Sequence, residues 1–438
     1  MAHFLKLMIY LDNSATTKQY AEVTEVMLRY MEQDFGNPSA LYQLGIDAEK
    51  AVKKARRQVL TAAGGSRDAV FTSGGTEADN MAIFGAAESM KRYGNRIVTT
   101  AVEHPAVLEC CSRLEKKGFE VVKVGVDRRC RLDLEQLERA VNDSTILVSM
   151  MHVNNEVGTI MPVDKVREIM KRKAAPGIFH CDAVQSFGKI PLPADADLIA
   201  ISGHKIHGPK GSGALLISKG RTATGRSINI PAYIAGGGQE SGRRSGTENV
   251  PAIAGLGAAA EIAAAKGNAT YNTDKNTDSG INNAAISDAD SNISRNAKSD
   301  AGHIKNNEGC ISEGGCSFEE LRNRLCEGFR ESIDDIRINT PMDGSCPSLL
   351  SVSFMGTRGE VLLHTLEQDG IFVSTGSACS SNKKGRSHVL TAMGLKDREI
   401  EGTLRFSLGA FSSMEDIEIT IEKTAEAVNR FRRLGSFR

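Results

Sequence analysis

Two side chains of this sequence stand where their chemistry could be used. Lys205 follows the apolar run Leu198-Ile199-Ala200-Ile201 and ends the polar stretch Ser202-Gly203-His204-Lys205. Such a run reads as a buried strand, and Lys205 sits at its exit. An amine beside a hydroxyl and an imidazole can serve there as a Schiff-base lysine under a phosphorylated group. Taken alone, the stretch fits a solvated surface lysine better. Cys379 lies in a Gly- and Ser-rich loop, 375–386, with Lys383, Lys384 and Arg386 close behind it. Exposure and nearby positive charge favour the thiolate, the nucleophilic form. Most other cysteines fall in helical or apolar runs, where a buried structural thiol is the ordinary reading.

Other polar groups recur at the ends of expected strands. Ser73-Gly74-Gly75-Thr76-Glu77 separates a strand over 69–72 from a helix. Exposed N–H groups and the helix dipole favour an anion there, though many glycine turns merely turn. His104 follows the strand 96–100, and a lone histidine in that place is more often structural. Asn154 and Asn155 follow the strand 146–150, as a turn or as a polar hook for a ligand. Asp182 and Gln185 follow an apolar run from Ile178; Asp182 could pair with a protonated ring nitrogen or simply cap a helix. Arg405 lies inside a strand-like run, where an arginine usually has a carboxylate partner from protein or substrate. The loop 236–249, with Arg243, Arg244, Thr247 and several glycines, could close over an anion or be plain surface.

The elements that must position these groups follow from periodicity. Strands and helices alternate between residues 60 and 220, which predicts a mainly parallel α/β sheet. Ligands bind such sheets at the carboxyl ends of the strands, and the groups from Ser73 to Lys205 all fall there. Ser413 and Asp416 form a capping box for a last helix. The stretch 267–315 is rich in Asn, Ser, Asp, Ala and Gly; it cannot bury enough surface to order itself and is expected to be a disordered insertion. The 438 residues carry 54 Lys+Arg and 54 Asp+Glu, a balance with no general pull toward nucleic acid or membrane. The nine cysteines show no CxxC pair, so no metal site is expected, and they read as reduced thiols of a cytoplasmic protein. The start lacks the pattern of a signal peptide, and no apolar run reaches membrane-spanning length.

With these residues in view, the chain resembles the cysteine desulfurases of the NifS/IscS type. The motifs are Leu11–Thr17, Ser73–Glu77, Glu103–Val107, His152–Glu156, His180–Gln185, Ser202–Lys205, Arg244–Thr247, Gly376–Cys379 and Arg405–Ser407, in the family's order. The resemblance implies a fold type I pyridoxal-phosphate (PLP) enzyme of the class V aminotransferase group. It implies an α/β large domain over 17–262, with a mainly parallel seven-stranded sheet flanked by helices. A smaller α+β domain, from 1–16 and 317–438, would carry the loop 375–386.

The resemblance also implies roles. Lys205 carries the cofactor and shuttles protons; Asp182 holds the ring nitrogen protonated; His104 stacks on the ring and assists proton transfer. Gln185 and Asn155 contact the ring oxygen side, and Gly75, Thr76, Ser202 and His204 hold the phosphate. Thr247 reaches the phosphate of a partner subunit, which implies a homodimer. Arg405 with Asn155 takes the carboxylate of L-cysteine. Cys379 takes the sulfur as a persulfide, leaving L-alanine, and could contact an iron–sulfur cluster during transfer. The acceptor would be an iron–sulfur scaffold protein or a relay for transfer-RNA thiolation, with no direct nucleic-acid contact. Ser241 stands where a further arginine is expected, which lowers the positive charge near that loop.

Overall fold

The apolar runs at 145–151, 178–182 and 198–202 are buried along their whole length, as strands covered on both faces must be. The computed structural model describes residues 8–268, 312, 315–376 and 386–435. Its elements begin with β1 (Ile9–Tyr10), α1 (Ala21–Glu32), α2 (Gln43–Ala63), β2 (Arg67–Thr72), α3 (Gly75–Met90), β3 (Arg96–Thr100), α4 (Pro105–Glu115) and β4 (Glu120–Val124). Next come α5 (Leu134–Ala140), β5 (Thr145–Met151), α6 (Val166–Arg172), β6 (Ile178–Asp182), β7 (Leu198–Ser202), β8 (Gly213–Ser218) and α7 (Val250–Asn268). The chain then forms α8 (Phe318–Ser332), β9 (Ile336–Ile338), β10 (Leu349–Phe354), α9 (Gly359–Gln368) and β11 (Ile371–Phe372). It closes with α10 (His388–Ala392), α11 (Asp397–Glu401), β12 (Thr403–Ser407) and α12 (Met414–Arg433).

The main sheet has seven strands in the order β2-β8-β7-β6-β5-β3-β4. All its pairings are parallel except those of β8, which runs antiparallel to β2 and β7. The expected mainly parallel seven-stranded sheet is therefore present. The chain leaves β3 for β4 on one side and returns to β5 on the other, so the strand order reverses there, the place where open α/β sheets bind ligands. No element is expected from the sequence at Ala21–Glu32 or Gly213–Ser218. In the structure these are a helix and the one antiparallel strand, whose short apolar run lies between glycines.

Helices cover both faces of the sheet. In α2, Ala48, Ala51, Val52, Ala55, Val59 and Ala63 are buried at helical spacing, the stripe such a helix turns to its core. Gly64 ends it at φ +64, a left-handed stop that glycine takes without steric cost. The neighbour α7 packs close: a Cβ on Gly257 would stand 2.6 Å from the Ala55 Cα.

A second hydrophobic core joins Ile9 and Leu11 to α8, α9, α12 and strands β10–β12. Here β12-β10-β9 form an antiparallel sheet, and β1 pairs in parallel with β11. Capping boxes start both long helices, Ser317 with Glu320 and Ser413 with Asp416, the second as expected from the sequence. Val389, Leu390, Met393 and Leu395 pack into the core of the main sheet instead. Most of the insertion 267–315, and its expected disorder, lies outside the described residues. Among the described residues no helix is long and apolar enough to cross a membrane.

Phe329, fully buried, meets Phe354 edge-on at 5.5 Å and Phe406 at 5.1 Å. Phe329→Ala should cost about 3–5 kcal/mol, the usual loss for a buried aromatic. Urea unfolding of the variant should show it; a midpoint within error of the parent would remove this triad from the small core.

Candidate active site

The carboxyl ends of β5, β6 and β7, the exit of β3 and the start of α3 converge on one place, and Lys205 lies within it. Its ammonium donates to the carbonyls of Ser14 and Ala15. The surface-lysine reading of Lys205 thus fails: the amine is held beneath the N-terminal segment. Asp182 ends β6, and one of its oxygens accepts from the Val184 N–H at 2.9 Å. Gln185 donates to the Ser14 carbonyl at 3.0 Å, so it shares that acceptor with Lys205.

His104 caps α4, its Nδ1 accepting from the Ala106 N–H at 3.2 Å. That bond puts any ring proton of the neutral form on Nε2. The residue therefore has the structural job its position allows, and it also faces the site: Asp182 and Lys205 both act on its charge. Burial lowers the His104 pKa, opposed by Asp182. Burial and the Lys205 charge push His204 down to about 4, and its Nδ1 lies 3.2 Å from the Thr16 hydroxyl.

Three carboxyl groups share the buried floor. Burial, with Asp182 and Glu103 nearby, raises Asp79 well above the carboxylate range. Burial pushes Glu103 up to about 8, against hydrogen bonds from the Met151 N–H and the Thr100 hydroxyl. Asp182 is also raised by burial, but His104, the Val184 amide and Lys205 all pull it down. Of the three, Asp182 is the one with the Lys205 ammonium and the His104 imidazole acting against its burial. Behind it, His180 is kept neutral by burial, pushed down to about 3. Its Nδ1 lies 2.9 Å from the Ser149 hydroxyl and its Nε2 3.4 Å from Asp79 Oδ1.

At the start of α3 the first N–H groups have no carbonyl in a preceding turn to bond. Gly75 is required there: a Cβ would stand 2.6 Å from Val184 Cγ2. The Ser202 hydroxyl, 2% exposed, lies beside Gly74 and Gly75 with no hydrogen-bond partner among the described residues. Thr76 is exposed at the same helix end. An unsatisfied hydroxyl beside free N–H groups is the donor set of an anion site. With a lysine and a buried carboxylate at the adjoining strand ends, these residues fit a phosphorylated, ring-nitrogen-bearing cofactor.

Arg405, on β12, is 4% exposed and donates to Asp12 Oδ1 at 2.7 Å and to the Asn155 carbonyl at 2.8 Å. The carboxylate partner expected for it is thus supplied by the protein, and a substrate carboxylate would share the guanidinium with Asp12. Asn155 is half-buried at the same turn. Thr247 lies apart, exposed on its loop, near the Arg244–Glu77 ion pair (2.8 Å) at the start of α3. Ser241 is exposed in a short turn at φ +56. Cys379 falls outside the described residues; the loop is described up to Gly376 and again from Arg386. Six of the seven described cysteines are buried, and burial pushes Cys110 and Cys111 up to about 12, away from thiolate chemistry. No cluster of three or more metal-ligating side chains occurs among the described residues.

Sequence reasoning left several groups of this site without a role: the Ser14 and Ala15 carbonyls, Asp79, Glu103, His180 and Glu156. Backbone carbonyls carry no sequence signal. Glu103 and Glu156 stood inside quoted motifs and Asp79 two residues past one, where their acidic type was the available hint.

The chain belongs to the aminotransferase class-V family, which it matches over residues 9–291 and 317–419. Within that family it stands with the cysteine desulfurases. It is 38% identical to a cysteine desulfurase IscS of Methanosarcina thermophila over 98% of this chain and 93% of the relative. Among solved structures it is similar to a NifS-like protein, with a TM-score of 0.79 and 35% identity over 97% of this chain and all (100%) of that one. It is also similar to SspA, solved in complex with cysteine, with a TM-score of 0.70 and 28% identity over 93% of this chain and 100% of that one. Members of this family use PLP.

The floor acids should leave a signature in stability. Glu103 is raised in the folded protein, so the native state holds a proton that the unfolded chain has released. Stability should therefore fall as pH rises from the ordinary carboxylate range to about 8, where Glu103 itself titrates. Glu103→Gln keeps the acceptor oxygen and should flatten that decline, read from urea midpoints across pH. Curves that stay parallel to the parent's would mean that Glu103 is ionised in the fold.

Proposed function

We propose that the protein takes sulfur from L-cysteine with PLP, releasing L-alanine and leaving a persulfide on Cys379. The observation that carries this reading is the convergence of Lys205, Asp182 and the unpartnered Ser202 hydroxyl at neighbouring strand ends, in a chain whose relatives are named cysteine desulfurases. PLP supplies, when bound, an electron sink for negative charge at the α-carbon of an amino acid.

In this reading Ser202, His204, Thr76 and the N–H groups at Gly75 hold the phosphate. Asp182 would pair with the ring nitrogen, His104 would lie against the ring, and Gln185 and Asn155 would contact its oxygen side. Arg405 and Asn155 orient the substrate carboxylate. Lys205 Nζ would hold the cofactor and move the α-proton as a general base. The Cys379 thiolate attacks the substrate sulfur; an S–S bond forms as the C–S bond breaks, and the carbon takes a proton to become the alanine methyl. Atoms balance as cysteine plus thiol giving alanine plus persulfide. The persulfide sulfur then passes to an acceptor protein, with an iron–sulfur scaffold favoured by the IscS-type relatives.

Residues 17–262 are taken as the cofactor-binding domain and 1–16 with 317–438 as the small domain. The working unit is taken as a homodimer in the cytoplasm. Supporting the dimer, Leu28, Met31, Phe35, Leu41 and Tyr42 form an exposed apolar run around the α1–α2 connection, with Leu41 95% exposed. A patch of that kind marks an interaction surface, and Thr247 is exposed as a cross-subunit contact requires.

Purified protein with PLP, L-cysteine and a reductant should yield alanine and sulfide in equal amounts over many turnovers. Cys379→Ser should keep the bound-cofactor spectrum and lose at least ~100-fold in sulfide release, and normal turnover in it would remove Cys379 as nucleophile. Lys205→Ala should lose the visible band of the lysine-bound cofactor; an unchanged band would move the attachment elsewhere. Leu41→Glu with Phe35→Glu should halve the mass seen by light scattering, and an unchanged mass would place the subunit contact away from this patch.

A further inference from the structure

Glu156 belongs to a motif that carries the cofactor-facing Asn155, yet the proposed chemistry gives Glu156 no task. It is nevertheless among the most costly side chains in the site to bury: 5% exposed, with burial pushing its carboxyl up to about 7. What it touches is specific. The Ser387 hydroxyl donates to Glu156 Oε2, and Ser387 follows Arg386, the first residue described after 377–385. On the other side of that stretch, Gly376 lies against the same carboxylate: a Cβ built on it would stand 3.4 Å from Glu156 Oε2. Gly376 holds φ +79, a conformation that favours glycine. The two described flanks of the Cys379 loop therefore meet at one buried carboxyl group.

The carboxyl group is itself rigidly placed. The Glu156 N–H donates to Asn154 Oδ1 at 2.9 Å, and Asn154 Nδ2 donates to the Val102 carbonyl at 3.0 Å. Arg405, which bonds the Asn155 carbonyl, adds its charge from β12. The flanks are fixed independently of Glu156 as well. Ser387 Oγ accepts from the Leu390 N–H and so caps α10. His388 Nε2 lies 2.9 Å from the Glu103 carbonyl, one residue before His104. Gly376 donates to Ser374 Oγ at 3.2 Å, and Ser374 bridges to Arg405.

We propose that Glu156 is a positioning residue that ties together the two ends of the Cys379 loop. It joins them to the turn presenting Asn155 and Arg405, and so sets the base from which the thiol reaches the substrate sulfur. This rests on the reading of Cys379 as the sulfur-accepting nucleophile. Glu156 acts through Cys379 and does not touch the reacting atoms. Its removal lowers the rate of persulfide formation and spares substrate binding.

The test uses the cofactor-loaded enzyme and four variants: Glu156→Ala, Glu156→Gln, Ser387→Ala and Cys379→Ser. In a single turnover with L-cysteine, Glu156→Ala and Ser387→Ala should form the Cys379 persulfide at least tenfold more slowly. Their cofactor spectra and their KM for cysteine should stay within twofold of the parent. Glu156→Gln, which keeps an acceptor oxygen for Ser387, should stay within threefold in rate. A structural readout separates anchoring from general damage: trypsin should cut after Lys383 and Lys384 at least fivefold faster in Glu156→Ala, with cleavage elsewhere unchanged. Parental persulfide and cleavage rates in Glu156→Ala and Ser387→Ala, beside an inactive Cys379→Ser, would overturn the anchor alone. An active Cys379→Ser would overturn the nucleophile reading beneath it. Should Glu156→Ala not fold, Ser387→Ala and Glu156→Gln decide the matter: a slow Ser387→Ala with a near-parental Glu156→Gln supports the anchor, and equal rates in both overturn it.

Discussion

The Lys205 ammonium donates to the carbonyls of Ser14 and Ala15, and much of the structure depends on that contact. It ties the exit of β7, in the main sheet, to a segment that also bonds to the second core. The Asn13 side chain donates to the Ser407 carbonyl, the Ser14 N–H donates to Ser407 Oγ, and Asp12 pairs with Arg405. A few residues of chain thus bridge both cores across the site. The lysine donates to two neutral carbonyls, which restrain its position. An amine so placed can exchange those bonds for a cofactor at modest cost, since net hydrogen-bond energies are about 1 kcal/mol each.

The floor of the site follows from the sheet. Strands β5, β6 and β7 are buried on both faces, so a polar side chain within them must find its partner inside the protein. Parallel pairing sets Ser149 opposite His180, and Met151 opposite Asp182. The result is a dry cluster in which Asp79, Glu103 and Asp182 compete for protons. Only near Asp182 do an imidazole and an ammonium offset the burial. A low-dielectric floor that concentrates charge on one carboxylate is the electrostatic condition a protonated ring nitrogen requires.

The turn 154–156 joins the elements that the chemistry needs to move together. Asn154 holds the chain before His104, the Asn155 carbonyl holds Arg405, and the Glu156 carboxyl meets both flanks of the Cys379 loop. One short turn thereby links the chain before His104, the Arg405 guanidinium and both described flanks of the Cys379 loop. The exposed basic loop with Thr247 stands outside this web.

By itself the sequence determined the local elements and the kinds of chemistry at their ends. Apolar runs such as 198–202 and the amphipathic stripe of α2 carry their structure in residue spacing, and the capping box at Ser413 is a purely local signal. Gly75, Ser202 and Lys205 could be singled out because glycines, hydroxyls and a lysine at a strand exit are local patterns too. The antiparallel β8 was not legible, because a short apolar run acquires its direction only from neighbours distant in sequence. Nor was the partner of Arg405: whether a buried arginine meets Asp12 or a substrate depends on a contact spanning nearly the whole chain. The acids on the floor looked like ordinary polar residues until the sheet packed Asp79 from α3 against His180 from β6. Tertiary structure decided these points because burial and electrostatics depend on which atoms become neighbours in space, and spacing along the chain records only neighbours in sequence.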